Sequence, residues 1–162
     1  ERLNSLSQDD WILAHGVHLE NEHGLRGTII HNPRSNMNNS VGYVEPKRFS
    51  NPVGLGTDGI GADMIDEFRL GYARLRENDV TESPQTIWEM LEINAGLFPE
   101  SQQDIVTWSY PNMDPWHLAF SLGVKPRDIV VAGKVVIRDG VVMTVDVDEI
   151  RSKAAEAASK LF

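Results

Sequence analysis

Three short segments of the chain place a histidine or an aspartate at the end of an apolar run, in a fixed order. The segments are Leu13–His18, His31–Asn36 and Gly54–Gly59. Parallel strands that end at the mouth of a β/α barrel present such side chains to a common cleft. Carboxylate and imidazole groups there can bind a divalent metal and exchange protons with a ligand near neutral pH. The spacing therefore predicts one active site built from three strand ends.

Asp58 is the first candidate for this chemistry. It follows a predicted buried strand and lies between Gly56 and Gly59, glycines that let a ligand or a metal approach the backbone. Its carboxylate can bind a divalent metal and accept a proton from metal-bound water. The alternative is an aspartate that begins a glycine-containing turn. The two other motifs, in their order along the chain, favour the catalytic interpretation.

His15 is the second candidate. A histidine within an apolar strand can polarise a carbonyl group or transfer a proton near neutral pH. The alternative for a lone histidine in this position is a hydrogen-bonded core residue. His18 follows three residues later. It is expected on the opposite side of the strand, with a structural role.

The segment after the second strand offers several side chains for ligand binding. Pro33 fixes the backbone, and its neighbours can form side-chain hydrogen bonds in a tight turn. The candidate substrate-binding residues are His31, Asn32, Ser35 and Asn36. A loop whose polar groups satisfy one another is the alternative, and these residues leave both interpretations open.

Apolar patterns identify the elements that must position these side chains. Continuous apolar runs predict buried parallel strands, and these runs span 11–17, 27–30 and 52–57. An apolar stripe predicts a helix over 62–77 and consists of Ile65, Phe68, Tyr72 and Leu75. Acidic residues in its first turn, such as Glu67, are expected to interact favourably with the positive end of the helix dipole. Ser83 and Pro84 predict the start of a second helix.

The pattern changes to short strands near residue 104. We predict a strand over 104–110 and a hairpin over 128–146, in which Asp139 and Gly140 form a tight turn. Asp146 is expected to cap a last helix. The chain is therefore divided into two predicted domains, 1–100 with barrel-like βα elements and 101–162 with the strands of a small β-domain.

Bulk composition excludes several classes of function. The formal net charge of −9 opposes binding to the phosphate backbone of nucleic acids. The absence of cysteine excludes disulfides and thiolate metal sites, and it is compatible with the cytoplasm, where we expect the protein. No apolar run approaches the roughly 20 residues of a membrane helix. The 162 residues are too few for a complete β/α barrel of roughly 250 residues.

Three segments carry a resemblance to a known family. His31–Tyr43 and Leu55–Met64 resemble the SsnA-type aminohydrolases, in the cytosine deaminase and chlorohydrolase branch of the amidohydrolase superfamily. Asp128–Ile150 resembles the return of the chain into the β-sandwich domain of that family. The resemblance implies an α/β fold: a partial (β/α) TIM-type barrel, with strands resembling strands six to eight, plus the C-terminal strands of a small β-sandwich.

The resemblance also implies an activity. Members hydrolyse C–N bonds other than peptide bonds in nitrogen heterocycles, using water activated by a divalent metal, zinc foremost and iron as the alternative. Asp58 matches the aspartate that binds the metal and handles the proton. His15 matches the histidine that orients the substrate, and the loop that begins at His31 matches the pocket wall. A small heterocyclic substrate is the expected partner.

The chain lacks part of the pattern that the family uses to bind metal. The His-x-His pair of strand one and the histidine and glutamate of strand five are absent from this sequence. We therefore predict the C-terminal part of a metal-dependent amidohydrolase, whose other ligands are not in this chain. A missing N-terminal half or a homo-oligomer would cover the open barrel. The alternative is a non-catalytic, truncated homologue that acts as an interaction or assembly module.

Overall fold

The computed structural model describes residues 9–111 and 113–161. Contacts group the described residues into two compact units. The first unit holds the residues up to Leu97 together with Asp114–Ser121, and the second holds the remainder. The grouping of Asp114–Ser121 with the first unit has no counterpart in the sequence patterns. The domain boundary after residue 100 stays a prediction.

The first unit contains a three-stranded parallel sheet. Its strands are β1 (Ile12–Ala14), β2 (Thr28–His31) and β3 (Val53–Leu55), in that order across the sheet. β1 and β3 are shorter than the apolar runs that predicted them, whereas β2 begins one residue later than its run and extends one residue further, to His31. In register, Ala14 pairs with Ile30 and His31 with Leu55. The three carboxyl ends therefore lie at one edge of the sheet.

Four α-helices and a short 3-10 helix (Pro46–Arg48) complete the described part of the first unit. The α-helices are α1 (Pro33–Asn38), α2 (Met64–Asn78), α3 (Pro84–Leu97) and α4 (Pro115–Phe120). The segment after His31 was predicted as a tight turn, and that prediction is wrong: it forms α1. Pro33 occupies the first turn of α1, where its fixed backbone angle suits a helix. Among the helices of the described residues, none has the length and apolar character that a membrane crossing requires.

The apolar stripe of α2 is confirmed as a buried face. Its four residues, Ile65, Phe68, Tyr72 and Leu75, are at most 9% exposed. Asp63 caps the helix by accepting hydrogen bonds from the amides of Ile65 and Asp66. Glu67 lies in the first turn of α2, as expected, and its side chain is fully buried, which the sequence did not indicate.

A side chain from α3 covers the outer edge of β3. The Asn94 amide accepts a hydrogen bond from the Leu55 N–H (3.1 Å) and donates one to the Leu55 carbonyl (2.6 Å). It takes the place that a neighbouring strand would occupy. Gly54 makes this approach possible, because a Cβ at that position would lie 2.2 Å from the Asn94 Oδ1 atom. The sheet and α3 are thus joined by a polar clamp.

The second unit contains an antiparallel sheet and a terminal helix. The strands are β4 (Ile105–Trp108), β5 (Pro126–Val131), β6 (Lys134–Arg138) and β7 (Val141–Val142), in sequence order across the sheet. Asp139 and Gly140 both have positive φ, which confirms the predicted tight turn. Asp146 caps α5 (Val147–Ala158) by accepting from two backbone amides, as predicted.

His31, the last residue of β2, is buried in the first unit and is 3% exposed. Burial lowers the pKa of its imidazole from 6.5 to about 4, because the charged form loses its hydration. Its Nδ1 atom has no hydrogen-bond partner among the residues that the structure describes. His31 is therefore a neutral core group at physiological pH.

Replacing Asn94 with alanine is expected to lower the free energy of unfolding by about 1–3 kcal/mol, because both backbone groups of Leu55 lose their partner. Urea unfolding of the two proteins measures the difference. Gln85→Ala on the exposed face of the same helix is the matched control and should change stability by less than about 0.5 kcal/mol. Equal losses in the two variants would contradict the clamp.

Acid is expected to destabilise the first unit through His31. The unfolded imidazole binds a proton below about pH 6.5 and the folded one only below about 4, so stability is complete above 6.5 and falls between these values. A shift of this size corresponds to roughly 3 kcal/mol. Urea unfolding from pH 7 to 4 should show a steeper loss for the wild type than for His31→Gln. His18→Gln, at an exposed position, should keep the wild-type slope.

Candidate functional site

An open cavity of about 520 Å³ lies where the strands of the parallel sheet end. Polar and apolar side chains share its wall. The polar members are His15, His18, Ser35, Asn36, Asn39 and Asp58, and the apolar ones include Leu13, Val17, Leu19, Leu25 and Val41. The structure therefore brings four of the six predicted site residues, His15, Ser35, Asn36 and Asp58, to one cavity.

His15 is the first residue beyond β1. Its N–H still donates to the Ile30 carbonyl (2.9 Å), while its φ of 68° turns the chain out of the strand. Positive φ is uncommon for a residue with a side chain and is found preferentially at functional sites. The ring Nδ1 lies 2.9 Å from Asn36 Oδ1. The ring Nε2 lies 3.6 Å from Asp58 Oδ2, within the range of an ion pair when the imidazole is protonated.

Asp58 also has a positive φ, of 52°. Its Oδ2 atom accepts a hydrogen bond from the Ser35 hydroxyl (2.5 Å), and its Oδ1 atom accepts one from the Gly59 N–H (2.7 Å). The Ser35 hydroxyl, then the Gly59 amide, and to a lesser degree the nearby His15 lower the pKa of this carboxyl. Asp58 is therefore ionised near neutral pH and can accept a proton or a cation.

His31 and Asn32 are not among the residues that line this cavity. Asn32 is 4% exposed, and its amide donates to the Ile30 carbonyl (3.0 Å). Gly56 makes room for it, because a Cβ on Gly56 would lie 2.3 Å from Asn32 Oδ1. This glycine was expected to admit a ligand or a metal; in the structure it admits the side chain of Asn32. Substrate binding by His31 and Asn32 stays a prediction.

The structure adds His18 to the candidate residues. Its expected position, opposite His15, assumed that β1 continued to Val17. The strand ends at Ala14, and Gly16 with a φ of 68° redirects the chain, so His18 is exposed and lines the same cavity. A glycine directly after a histidine was the available sequence signal for this turn.

Glu67 is a second residue whose role the sequence did not reveal. Its carboxylate accepts hydrogen bonds from the Arg34 backbone N–H (2.8 Å) and from the Arg34 Nε atom (3.0 Å). The glutamate is fully buried, whereas the arginine side chain is 35% exposed. This pair fixes α1, and with it Ser35 and Asn36, against α2.

The described residues do not supply enough ligands for a complete metal site. Within 9–111 and 113–161, no group of three or more histidine or acidic side chains is placed to hold a metal ion. Zinc sites in proteins use three or four protein ligands. Asp58 is a suitable ligand by chemistry, but these residues alone do not complete a coordination sphere around it.

Curated relatives match nearly the whole chain. A 5-methylthioadenosine/S-adenosylhomocysteine deaminase of Shouchella clausii is 25% identical, over 96% of this chain and 44% of the relative. A 5'-deoxyadenosine deaminase of Methanopyrus kandleri is 28% identical, over 94% of this chain and 43% of the relative. The chain thus spans less than half the length of the curated relatives it matches. No family model matches the sequence.

Solved structures share the fold of the chain. An adenosine deaminase from Xanthomonas campestris with bound zinc aligns with a TM-score of 0.72 and 21% identity, over 98% of this chain and 44% of its own. Atrazine chlorohydrolase TrzN from Arthrobacter aurescens TC1, in complex with zinc, aligns with a TM-score of 0.78 and 17% identity, over 93% and 41%. An amidohydrolase from Brucella melitensis aligns with a TM-score of 0.72 and 16% identity, over 98% and 42%.

The relatives are deaminases, and the structural neighbours are deaminases and other hydrolases of mixed α/β fold. The narrower resemblance to SsnA-type aminohydrolases stays a prediction. Together, the curated relatives and the shared fold show that the chain is similar to the C-terminal part of deaminases and has the fold of amidohydrolase structures, in agreement with the resemblance that its ordered motifs carry.

Proposed function

We propose that this chain is the C-terminal part of a hydrolytic deaminase that cleaves a C–N bond of a nitrogen heterocycle. The observation that carries the proposal is the ionised Asp58 held 3.6 Å from the imidazole of His15 at the wall of an open cavity. Carboxylate and imidazole groups in such a cavity can move protons to and from a bound ligand. The deaminase activities of the relatives support the same reaction class.

In this proposal, each candidate catalytic residue has one role. Hydrolytic deamination adds water to the ring carbon and releases ammonia, so a proton must pass from the water to the leaving amine. Asp58 is ionised near neutral pH, accepts that proton and passes it on, and its hydrogen bonds with Ser35 and Gly59 hold the carboxylate in place. His15 contacts the substrate through Nε2 and orients it, because Nδ1 is already bonded to Asn36.

The substrate class follows from the relatives and from the cavity. The relatives act on adenosine-type nucleosides by name, and the cavity joins polar groups to apolar residues such as Leu19 and Val41. An aromatic heterocycle with an apolar substituent matches that mixture. We propose a purine nucleoside of this kind as the substrate.

We further propose that Asp58 supplies one ligand to a divalent metal, zinc foremost, whose other ligands lie outside this chain. The zinc of the structural neighbours supports this assignment. In the same proposal, β1, β2 and β3 correspond to strands six to eight of a β/α barrel, which the remainder of the protein or a second copy completes. The second unit corresponds to part of a β-sandwich.

Asp58→Asn is expected to lower kcat/KM of the whole protein by about 100-fold or more, because the amide cannot accept the proton. Ammonia release from 5'-deoxyadenosine and from methylthioadenosine measures the activity. Asp66→Asn, an exposed position in the first turn of α2, is the control and should retain activity. Normal turnover by Asp58→Asn would refute the role of Asp58. A wild-type protein that assembles but deaminates neither nucleoside would favour the interaction module instead.

The same pair of variants tests the metal assignment independently of turnover. The wild-type whole protein, purified without chelator, is expected to carry about one zinc per site by elemental mass spectrometry. Asp58→Asn should lower this content, since one ligand loses its charge, whereas Asp66→Asn should not. Equal zinc content in both variants would remove Asp58 from the ligand set.

A further inference from the structure

We propose that α1 positions the catalytic pair, with Ser35 orienting Asp58 and Asn36 orienting His15. The sequence predicted both side chains to bind substrate. This inference rests on the proposed function for the roles of His15 and Asp58. It assigns to Ser35 and Asn36 a different task, which is to hold the two reacting groups in one geometry.

The hydroxyl proton of Ser35 is already donated within the protein. The residue is 1% exposed, and its hydroxyl donates to Asp58 Oδ2 at 2.5 Å. The amide of Asn39 donates to the same hydroxyl oxygen at 3.4 Å. A hydroxyl has a single proton. Because that proton is directed at Asp58, Ser35 is a poor donor for a ligand and a good anchor for the carboxylate.

Asn36 performs the equivalent task for His15. It is 3% exposed, and its Oδ1 atom lies 2.9 Å from His15 Nδ1. A carbonyl oxygen only accepts, so this contact favours the proton on Nδ1, which leaves the lone pair on Nε2 when the imidazole is neutral. The Asn32 amide lies farther from Nδ1, at 3.4 Å, and donates to the Ile30 carbonyl at 3.0 Å. Asn36 therefore sets the tautomer.

The placement of the two residues on one helix couples their effects. Consecutive residues of a helix point about 100° apart, so adjacent positions on α1 can reach two different strand ends. Their contacts join α1 to the residue after β1 and to the turn after β3. Arg34, the preceding residue, is bonded to the buried Glu67 and fixes the helix. The relative position of His15 and Asp58 is thus determined by three consecutive residues.

The tautomer of His15 gives a test that does not depend on turnover. In the whole protein labelled with ¹⁵N-histidine, His15 is expected to be the Nδ1–H tautomer when neutral, and the His15→Gln spectrum assigns its signals. Asn36→Leu removes the acceptor and should shift His15 towards Nε2–H. Asn36→Asp keeps an acceptor and should retain Nδ1–H. Asn38→Leu, at an exposed position of α1, is the matched control.

An unchanged tautomer in Asn36→Leu, or Nε2–H in the wild type, would overturn the role of Asn36. The second result would mean that Asn36 donates to the ring rather than accepting from it. These outcomes are read from the spectrum alone. The tautomer result therefore tests the role of Asn36 even if the protein shows no deaminase activity.

Kinetics separate positioning from substrate binding for Ser35. With 5'-deoxyadenosine as the probe, Ser35→Ala is expected to lower kcat by roughly 10- to 100-fold, because a loosened carboxylate leaves the reactive geometry. KM should change by less than about twofold. Ser35→Thr, which keeps the hydroxyl, should restore most of the lost kcat. A raised KM with unchanged kcat would show that Ser35 binds substrate and would overturn the proposal.

Discussion

The carboxylate of Glu67 is the constraint on which the geometry of the first unit depends. A fully buried negative charge is tolerated only when it is paired and hydrogen-bonded, and Arg34 supplies both a backbone and a guanidinium donor. Removing Arg34 would leave this buried carboxylate without its partner, which destabilises a fold. The pair therefore holds α1 in one position against α2, although α1 is too short to be stable alone.

The position of α1 determines the arrangement of the polar side chains at the cavity. The strands β1 and β3 bring His15 and Asp58 to the same edge, and both residues lie beyond the strand ends with a positive φ. Such backbone is strained, and the surrounding contacts must maintain it. Contacts from α1 do this at both places, one through Ser35 and one through Asn36. A rigid sheet edge and a fixed helix together determine where the polar groups lie.

Patterns within the sequence were sufficient for the elements with strong periodicity. The three apolar runs located the strands, the stripe of α2 located its buried face, and Asp139 with Gly140 located a turn. Asp58, after the third run, and His15, within the first, were predicted as site residues from these patterns, and the structure places both at one cavity. The ordered motifs, rather than any single residue, carried the family resemblance that the relatives bear out.

The features that the sequence did not predict depend on contacts between distant residues. The segment that forms α1 is rich in asparagine, serine and proline, which favour turns, and its helix is stabilised by Glu67, 33 residues away from Arg34. The burial of Glu67 and the orientation of Asn36 have the same origin. His18 was misplaced for a local reason, since the length of β1 was overestimated.

The clamp between Asn94 and Leu55 has a consequence for association between chains. The last strand of an open sheet offers unpaired backbone groups to any extended segment, and such edges promote aggregation. Here a side chain of the same unit already occupies the donor and the acceptor of Leu55. An incoming strand must first displace an amide that makes two hydrogen bonds. The edge therefore disfavours nonspecific strand pairing. A strand can pair there only if its new contacts are more favourable than the two hydrogen bonds of Asn94 that it displaces.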